Sequence, residues 1–263
     1  MNIVVCVKNV PEVAEEELEI NDEATDIERE ELGFALNEWD NYAVEEAVRL
    51  KEKLGGKVTV VTIGADDDED ILRRSLAMGA DEAILVEGED IVGVDASAVS
   101  LVLSKTLESL EYDLVLCGAQ AADDGFGQVG VALAERLNLP YASLVTAVQV
   151  EGDKISADRE LEAGMYETVE LGLPALLTIQ SGINEPRYVS IMGIRKVRSM
   201  TIENKSLDDL GLSEEDVREQ ANWFESVEMY LPAEGAGAEI LSGSLDEICA
   251  RAAAIIKEKG GLN

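Results

Sequence analysis

The feature that most restricts the fold is a repeated pairing along the chain. A short apolar run rich in β-branched residues, with no alternation of polar ones, is followed by a longer segment whose apolar residues recur at helical spacing. The runs are Ile3 to Val7, Val58 to Ile63, Ala83 to Val86 and Leu114 to Cys117. The helical segments are Asp40 to Leu54, Asp67 to Met78, Asp95 to Leu110 and Gln128 to Leu137. In the first of these, Ala43, Ala47, Leu50 and Leu54 share one face while Glu45, Glu46, Arg49 and Lys53 fall elsewhere. Strands that do not alternate are buried on both faces, and helices between them provide the cover. The pattern predicts an α/β fold, a parallel sheet sandwiched by helices in the Rossmann-like manner. Gly55-Gly56 and Gly79 are placed to end the first two helices before the next strand.

Beyond Pro140 the pattern changes. Val145 to Val150, the turn Glu151-Gly152-Asp153 and Lys154 to Arg159 predict a hairpin, and Met165 to Leu171 with Ala175 to Gln180 predict a second strand pair divided by Pro174. After Ile202 the chain is acidic and irregular: Ser206 to Gln220 is expected as one short helix and Pro232 to Gly243 as a Gly-rich linker. A last helix, Ser244 to Lys259, carries Leu245, Ile248, Ala252 and Ile255 at helical spacing. The expected division is an α/β domain over 1–205 and a C-terminal extension over 206–263, which has too little apolar surface to fold alone and must fold back or clasp a partner.

Composition removes several function classes. His is absent, which excludes Ser-His-Asp and Cys-His catalysis and most transition-metal sites. Cys6, Cys117 and Cys249 are odd in number and far apart, against a disulfide framework or zinc cluster, and Cys6 and Cys117 lie in apolar runs where a cysteine serves as a small buried hydrophobe. The net charge of −34, from 55 acidic against 21 basic residues, opposes binding to nucleic acid or to an anionic membrane. Such charge is screened within a few ångströms at molar salt, consistent with a salt-rich cytoplasm; the alternative is an acidic protein of ordinary surroundings. The start MNIVVCVKNVP is too brief for a secretory signal, and no stretch is long enough to cross a bilayer. The expectation is a cytoplasmic protein without direct membrane insertion.

Ligands of parallel sheets bind beyond the carboxyl ends of the strands, here the loops after Val7, Ile63 and Cys117. The third loop, GAQAADDGFGQVG at 118 to 130, leads into a helix. Gly125, Gly127 and Gly130 permit tight turns and close approach, and the first helical turn has free N–H groups for a phosphate. The loop lacks a P-loop lysine and the acidic ribose clamp of a nicotinamide site, and a plain Gly-rich turn would read the same way. Asp123 and Asp124 are wrong for phosphate but could accept from ribose hydroxyls or loop amides. Asn37-Glu38-Trp39-Asp40 opens the first long helix, where Asn37 or Asp40 is expected as a cap unless it serves a ligand. Arg187, Arg195, Lys196 and Arg198 form the one basic cluster, either plain surface charge or an electrostatic docking face.

Four segments together resemble the beta subunits of electron-transfer flavoproteins: VVCVKNVP at 4 to 11, NEWDNYAVEEAVRLKEK at 37 to 53, CGAQAADDGFGQVG at 117 to 130, and DRELEAGMYETVELGLPALLTIQSGINEPRYVSIMGIRKVR at 158 to 198. The resemblance covers about the first 200 residues, and the tail from Ser206 agrees only loosely. It implies a heterodimer with an alpha subunit that carries FAD, passing electrons between acyl-CoA-type dehydrogenases and a quinone-linked oxidoreductase or another acceptor. The beta subunits of this family hold either AMP as a structural ligand or a second, bifurcating FAD. Carried over position by position, the cofactor contacts are Cys6 through its backbone, Asn37, Glu38, Trp39, Asp40, Ile63, Gly118, Gln120, Ala122, Asp123, Asp124, Gly125, Gly127, Gln128, Val129 and Gly130. Ile191 takes the place of an apolar anchor for dehydrogenase partners, and Arg159 and Glu160 match a pair near the moving flavin domain. Asp40 and the run Gln128-Val129-Gly130 resemble the flavin-bifurcating type, although Glu38 stands where that type has Pro and Asp124-Gly125 is shifted. The resemblance therefore leans to FAD in this subunit, with AMP as the other ligand. No catalytic residue, metal or independent hydrolytic chemistry is implied. A reading from a different class is an ATP- or AMP-binding α/β protein of the universal-stress type, without redox activity.

Overall fold

The computed structural model describes residues 1–13, 18–29, 32–88, 91, 95–221, 227–233 and 237–260. The alternating first half forms β1 (Asn2–Cys6), α1 (Glu38–Leu54), β4 (Lys57–Gly64), α2 (Glu69–Met78), β5 (Glu82–Glu87), α3 (Ala96–Leu107), β6 (Leu114–Gly118) and α4 (Val129–Arg136). Between β1 and α1, β2 (Asn9–Pro11) and β3 (Phe34–Leu36) pair as a small antiparallel ribbon. The second half adds β7 (Tyr141–Glu151), β8 (Lys154–Glu160), β9 (Tyr166–Gly172), β10 (Ala175–Ile179), α5 (Ile191–Val197), β11 (Glu203–Lys205), α6 (Glu214–Gln220) and α7 (Leu245–Glu258). The main sheet has nine strands in the order β11-β5-β4-β1-β6-β10-β7-β8-β9. Neighbours from β11 to β7 run parallel, and β8 and β9 continue the sheet antiparallel. The expected α/β sandwich is the fold observed.

The period-two alternation of a strand separates two cores. Ile3, Val5, Val58, Val60, Leu114 and Leu116 pack with α1 and α2, whereas Val4, Cys6, Val61, Val115 and Cys117 pack with α3 and α4. Each run had to be apolar throughout because both of its faces are covered. Fully burying one leucine of this kind contributes about 1.5–3 kcal/mol, and Leu114, Leu116, Leu176 and Leu177 are all inaccessible. The helix ends follow local chemistry. Asp95 caps α3 by accepting from Ser97 and Ala98 N–H, and Ser213 and Ser244 form capping boxes with Asp216 and Glu247 at α6 and α7.

Three expectations change. The runs at 165 to 171 and 175 to 180 are not partners: β9 pairs with β8, while β10 is inserted between β6 and β7. Residues Ala175 to Ile179 are wholly buried, so they belong in the sheet's interior. Ser206 to Gln220 is not one helix. A 3₁₀ turn, Asp208–Leu210, closes at Gly211, whose φ of 69° favours glycine, before α6 begins. Leu212 and Val217 are buried against the α3 side of the sheet, so residues up to Ala221 belong to the packed body. The predicted linker from Pro232 to Gly243 includes residues 234–236, which lie outside the described residues; the rest of it contains no helix or strand. No side chain of α7 is buried. Among the described residues, no helix is long and apolar enough to cross a membrane.

Candidate functional site

The strand order turns back at β1. The chain leaves β1 through α1 to β4 and β5 on one side, then crosses through α3 to β6 on the other. Loops leaving the carboxyl ends of β1 and β6 diverge, which opens a crevice where α/β sheets take ligands. Cys6 and Cys117, the paired residues at those ends, form its floor. The cleft measures about 980 Å³ including its open mouth, and is walled by Asn37 and Asp40 of the α1 entrance, Ile63 of β4, residues 118–121, and residues 126–130.

The start of α1 is built into this wall. Asn37 stands in the N-cap position, yet its side chain does not cap the helix. Instead its Nδ2 donates to Gln120 O at 2.9 Å and its Oδ1 accepts from Ala122 N–H at 3.1 Å, tying the glycine-rich loop to α1. Asp40 does not cap either. Its Oδ2 accepts from Lys8 N–H at 2.8 Å and its Oδ1 from Gly118 N–H at 3.0 Å, so one carboxylate joins the loops after β1 and β6. The expected capping role of these two residues is thus replaced by cross-loop bonding, because backbone groups of the segments following β1 and β6 lie within reach of both. Asp40 is 5% exposed. Burial pushes its carboxyl up to about 7 despite the bonds from Lys8, Asn37 and Gly118.

The glycines allow close packing where the resemblance placed them. A Cβ on Gly118 would run into Asp40 Oδ1 and Trp39 Cβ, and one on Gly130 would lie 2.5 Å from Thr178 Cγ2. Gly125 and Gly127 have φ of 64° and 61°. Val129 and Gly130 open α4 at the edge of the cleft, so unsatisfied first-turn N–H groups are available there to an anion. Ile91, Val99 and Leu103 supply an apolar wall. Amide donors at one end and an apolar slot at the other suit an adenine nucleotide.

The remaining candidate positions are distributed around this cleft. Cys6, Asn37, Asp40, Ile63, Gly118, Gln120, Asp124, Gly127, Gln128, Val129 and Gly130 line it. Ala122, Asp123 and Gly125 form the outer part of the same loop without lining it. Glu38 is exposed, and Trp39 points its Nε1–H to Gln180 Oε1 at 2.8 Å, outside the lining. Asp124 Oδ1 accepts from Phe126 N–H at 3.0 Å, the loop-amide role expected for it. Lys8 was not among the sequence candidates. Its Nζ lies 2.8 Å from Asp123 and 2.9 Å from Asp124, and the signal for it was a lone cation directly after the first strand of a very acidic chain. Burial pulls the Lys8 ammonium down, but its bonds to both aspartates outweigh this and hold it above the ordinary lysine value. Burial and the neighbouring Cys6 push the Cys117 thiol up, Cys6 having the larger effect, so it is kept protonated.

The basic cluster divides. Arg187 is no docking charge: its Nε donates to the buried carboxylate of Glu45 at 2.8 Å and its Nη1 to Glu52 at 2.8 Å, fastening the segment before α5 onto α1. Arg195 and Lys196 belong to the last turn of α5. Ile191, the first residue of α5, is 71% exposed. Arg159 on β8 reaches Ser143 Oγ at 3.2 Å and Glu167 at 3.6 Å, and Glu160 follows at the strand end.

Comparison with known proteins agrees with this geometry. Residues 25–210 match the family model described as the electron transfer flavoprotein domain. The electron transfer flavoprotein subunit beta of Methylophilus methylotrophus is 38% identical over 99% of this chain and 100% of its own length. That of Bacillus subtilis is 38% identical over 92% of each chain. The caffeyl-CoA reductase-Etf complex subunit CarD of Acetobacterium woodii is 35% identical over 98% of this chain and 99% of its own. With its sheet, its cleft and nearly its whole length accounted for, the chain belongs to the electron-transfer flavoprotein beta-subunit family.

Proposed function

We propose that the chain binds the adenylate end of FAD in the cleft between β1 and β6, within a heterodimer whose alpha subunit carries another FAD. In this role it passes electrons between acyl-CoA-type dehydrogenases and a quinone-linked or other acceptor. The carrying observation is the cleft itself: Gly118, Gly127 and Gly130 line it without side chains, and α4 opens on it with unpaired amides. Asp40 and the run Gln128-Val129-Gly130 support FAD over AMP, since they match the bifurcating type of beta subunit. The name of the CarD relative, a subunit of a caffeyl-CoA reductase-Etf complex, is in keeping with an acyl-CoA-type partner enzyme.

A flavin bound there would supply the one- and two-electron chemistry. The chain's own work is to bind and orient. The α4 N-terminus would take the pyrophosphate, Ile91, Val99 and Leu103 would exclude water from the adenine, and Asn37 and Asp40 keep the loops after β1 and β6 in register. A chain without histidine can do all of this, because none of it needs a protein nucleophile or general base. Ile191 would anchor the dehydrogenase through its exposed side chain, Arg159 and Glu160 would face the flavin domain of the alpha subunit, and of the C-terminal 206–263 the part beyond Ala221 would reach out, with α7 covering the partner.

The test is a count. The chain is purified with its alpha subunit, and flavin and AMP are quantified per heterodimer by absorbance and chromatography of the released nucleotides. Two flavins are expected. One flavin with one AMP would replace the FAD reading by the structural-AMP one. No flavin, or ATP hydrolysis by the chain, would overturn the redox role in favour of a stress-type nucleotide binder.

A further inference from the structure

Lys8 is the one lysine or arginine among the described residues that line the cleft, where Asp40, Asp68 and Asp124 also contribute. Two of those carboxylates are already engaged away from Lys8's ammonium. Asp40 accepts from the Lys8 and Gly118 amides, and Asp68 accepts from Ala65 N–H at 2.8 Å and Asn9 Nδ2 at 2.8 Å. Asp123 and Asp124 are different, because both spend an oxygen on Lys8 Nζ across the mouth. Such an arrangement leaves a phosphate no free cation, yet the α4 amides that line the same cleft favour an anion. The bridge stands at the half-exposed mouth: Lys8, Asp123 and Asp124 are 33%, 18% and 35% exposed, so an incoming anion can reach Nζ without unpacking the cleft.

We propose that Lys8 is the cation that receives the nucleotide's phosphate, and that Asp123 and Asp124 mask it until the nucleotide arrives. This rests on the cleft being a nucleotide site. A phosphate monoester or a pyrophosphate brings about two charges, equal to the two carboxylates together, and the α4 amides lining the same cleft add donors to it, so it displaces the aspartates from Nζ. Asp124 Oδ1 keeps its bond to Phe126 N–H, so the loop retains its turn while its tie to β1 opens. The ammonium is delivered by the backbone that Asp40 holds, since the Lys8 N–H itself donates to Asp40. The two aspartates thereby make nucleotide-free cleft and bound cleft compete for one charge.

The experiment measures binding of AMP and of adenosine, by calorimetry at fixed salt, to the full chain stripped of nucleotide. Lys8→Met is expected to weaken AMP by about tenfold or more, the worth of a charge-assisted bond, and to leave adenosine unchanged. Lys8→Arg should restore most of the AMP affinity. Asp123→Asn with Asp124→Asn, which keeps an acceptor for Phe126 N–H, should tighten AMP several-fold without affecting adenosine. The proposal is overturned if Lys8→Met binds AMP as the wild type does, if it weakens adenosine equally, or if the double aspartate variant binds AMP more weakly. Failure of the wild-type chain to bind either ligand would remove the nucleotide site and this proposal with it, an outcome read separately from any variant.

Discussion

Replacing Gly130 by alanine tests whether close approach of α4 to the sheet is a structural requirement. The added Cβ would lie 2.5 Å from Thr178 Cγ2 and 3.3 Å from Cys117 Cβ, whereas ordinary contact begins at 3.4 Å. Both neighbours are on buried strands, so neither can swing aside, and α4 must retreat by about 1 Å or distort. Overpacking of this kind costs about 1–3 kcal/mol; helix propensity returns up to about 1 kcal/mol, less in a first turn, so a net loss of about 1–2 kcal/mol is expected. Urea unfolding at fixed salt reads this as a lower midpoint with unchanged slope. Thr178→Ser removes the obstructing methyl while keeping the hydroxyl that accepts from Leu144 N–H at 3.1 Å. In the double variant the loss should shrink, giving a coupling of about 1 kcal/mol. A Gly130→Ala chain as stable as wild type, or a double variant no better than the sum of its parts, would refute the packing argument.

Asp40→Asn should alter the pH dependence of stability. The carboxyl's pKa is raised from 3.8 unfolded to about 7 folded, so its contribution is present in full below pH 4 and lost as pH rises through 7. Wild type should therefore lose up to about 4 kcal/mol relative to the variant between pH 4 and 8, measured by unfolding at each pH; a constant difference would show that Asp40 does not titrate there. Arg187→Ala leaves buried Glu45 with Arg49 at 2.7 Å and the backbone N–H of residue 187 at 3.2 Å, and should cost about 2 kcal/mol at neutral pH. Although burial works the other way, Arg187 and Arg49 hold the Glu45 carboxyl below its usual range, so this stabilisation exists above the unfolded value and fades as pH falls through the folded one. The gap between variant and wild type should close in acid, as read by unfolding midpoints. Truncation after Ala221 should leave the thermal midpoint of the remaining body nearly unchanged, whereas truncation after Lys205 removes buried Leu212 and Val217 and should lower it by several degrees.

The parallel α/β sandwich was legible because its signal is local: each run from Ile3, Val58, Ala83 and Leu114 is apolar on both faces, and each intervening segment has one apolar stripe. The glycines of the loop before α4 were legible for the same reason, since tight turns leave their mark on the residues that make them. Partnership between strands was not. Nothing near Ala175 says that β10 lies between β6 and β7, because burial on both faces reads alike at every interior position of a sheet. The roles of Asn37 and Asp40 were hidden likewise. At a helix start both residues suggest a cap, and only the arrival of Lys8, Gly118, Gln120 and Ala122 from the ends of β1 and β6 and the loops beyond them gives their side chains better partners.

Charge shows the same division. Counting residues was enough to set the sign of the surface, since a net −34 opposes a nucleic-acid partner whatever the fold. Which cation meets which carboxylate is a matter of a few ångströms. Arg187 left its apparent basic cluster for Glu45 and Glu52, and Lys8 crossed the cleft to Asp123 and Asp124, from 115 and 116 residues away. Periodicity, turn chemistry and total charge are properties of neighbours along the chain and of sums over it, so they can be read before folding. Strand order, the crevice it opens, and the pairing of buried charges depend on contacts between remote segments, and those exist only once the sheet has brought the segments together.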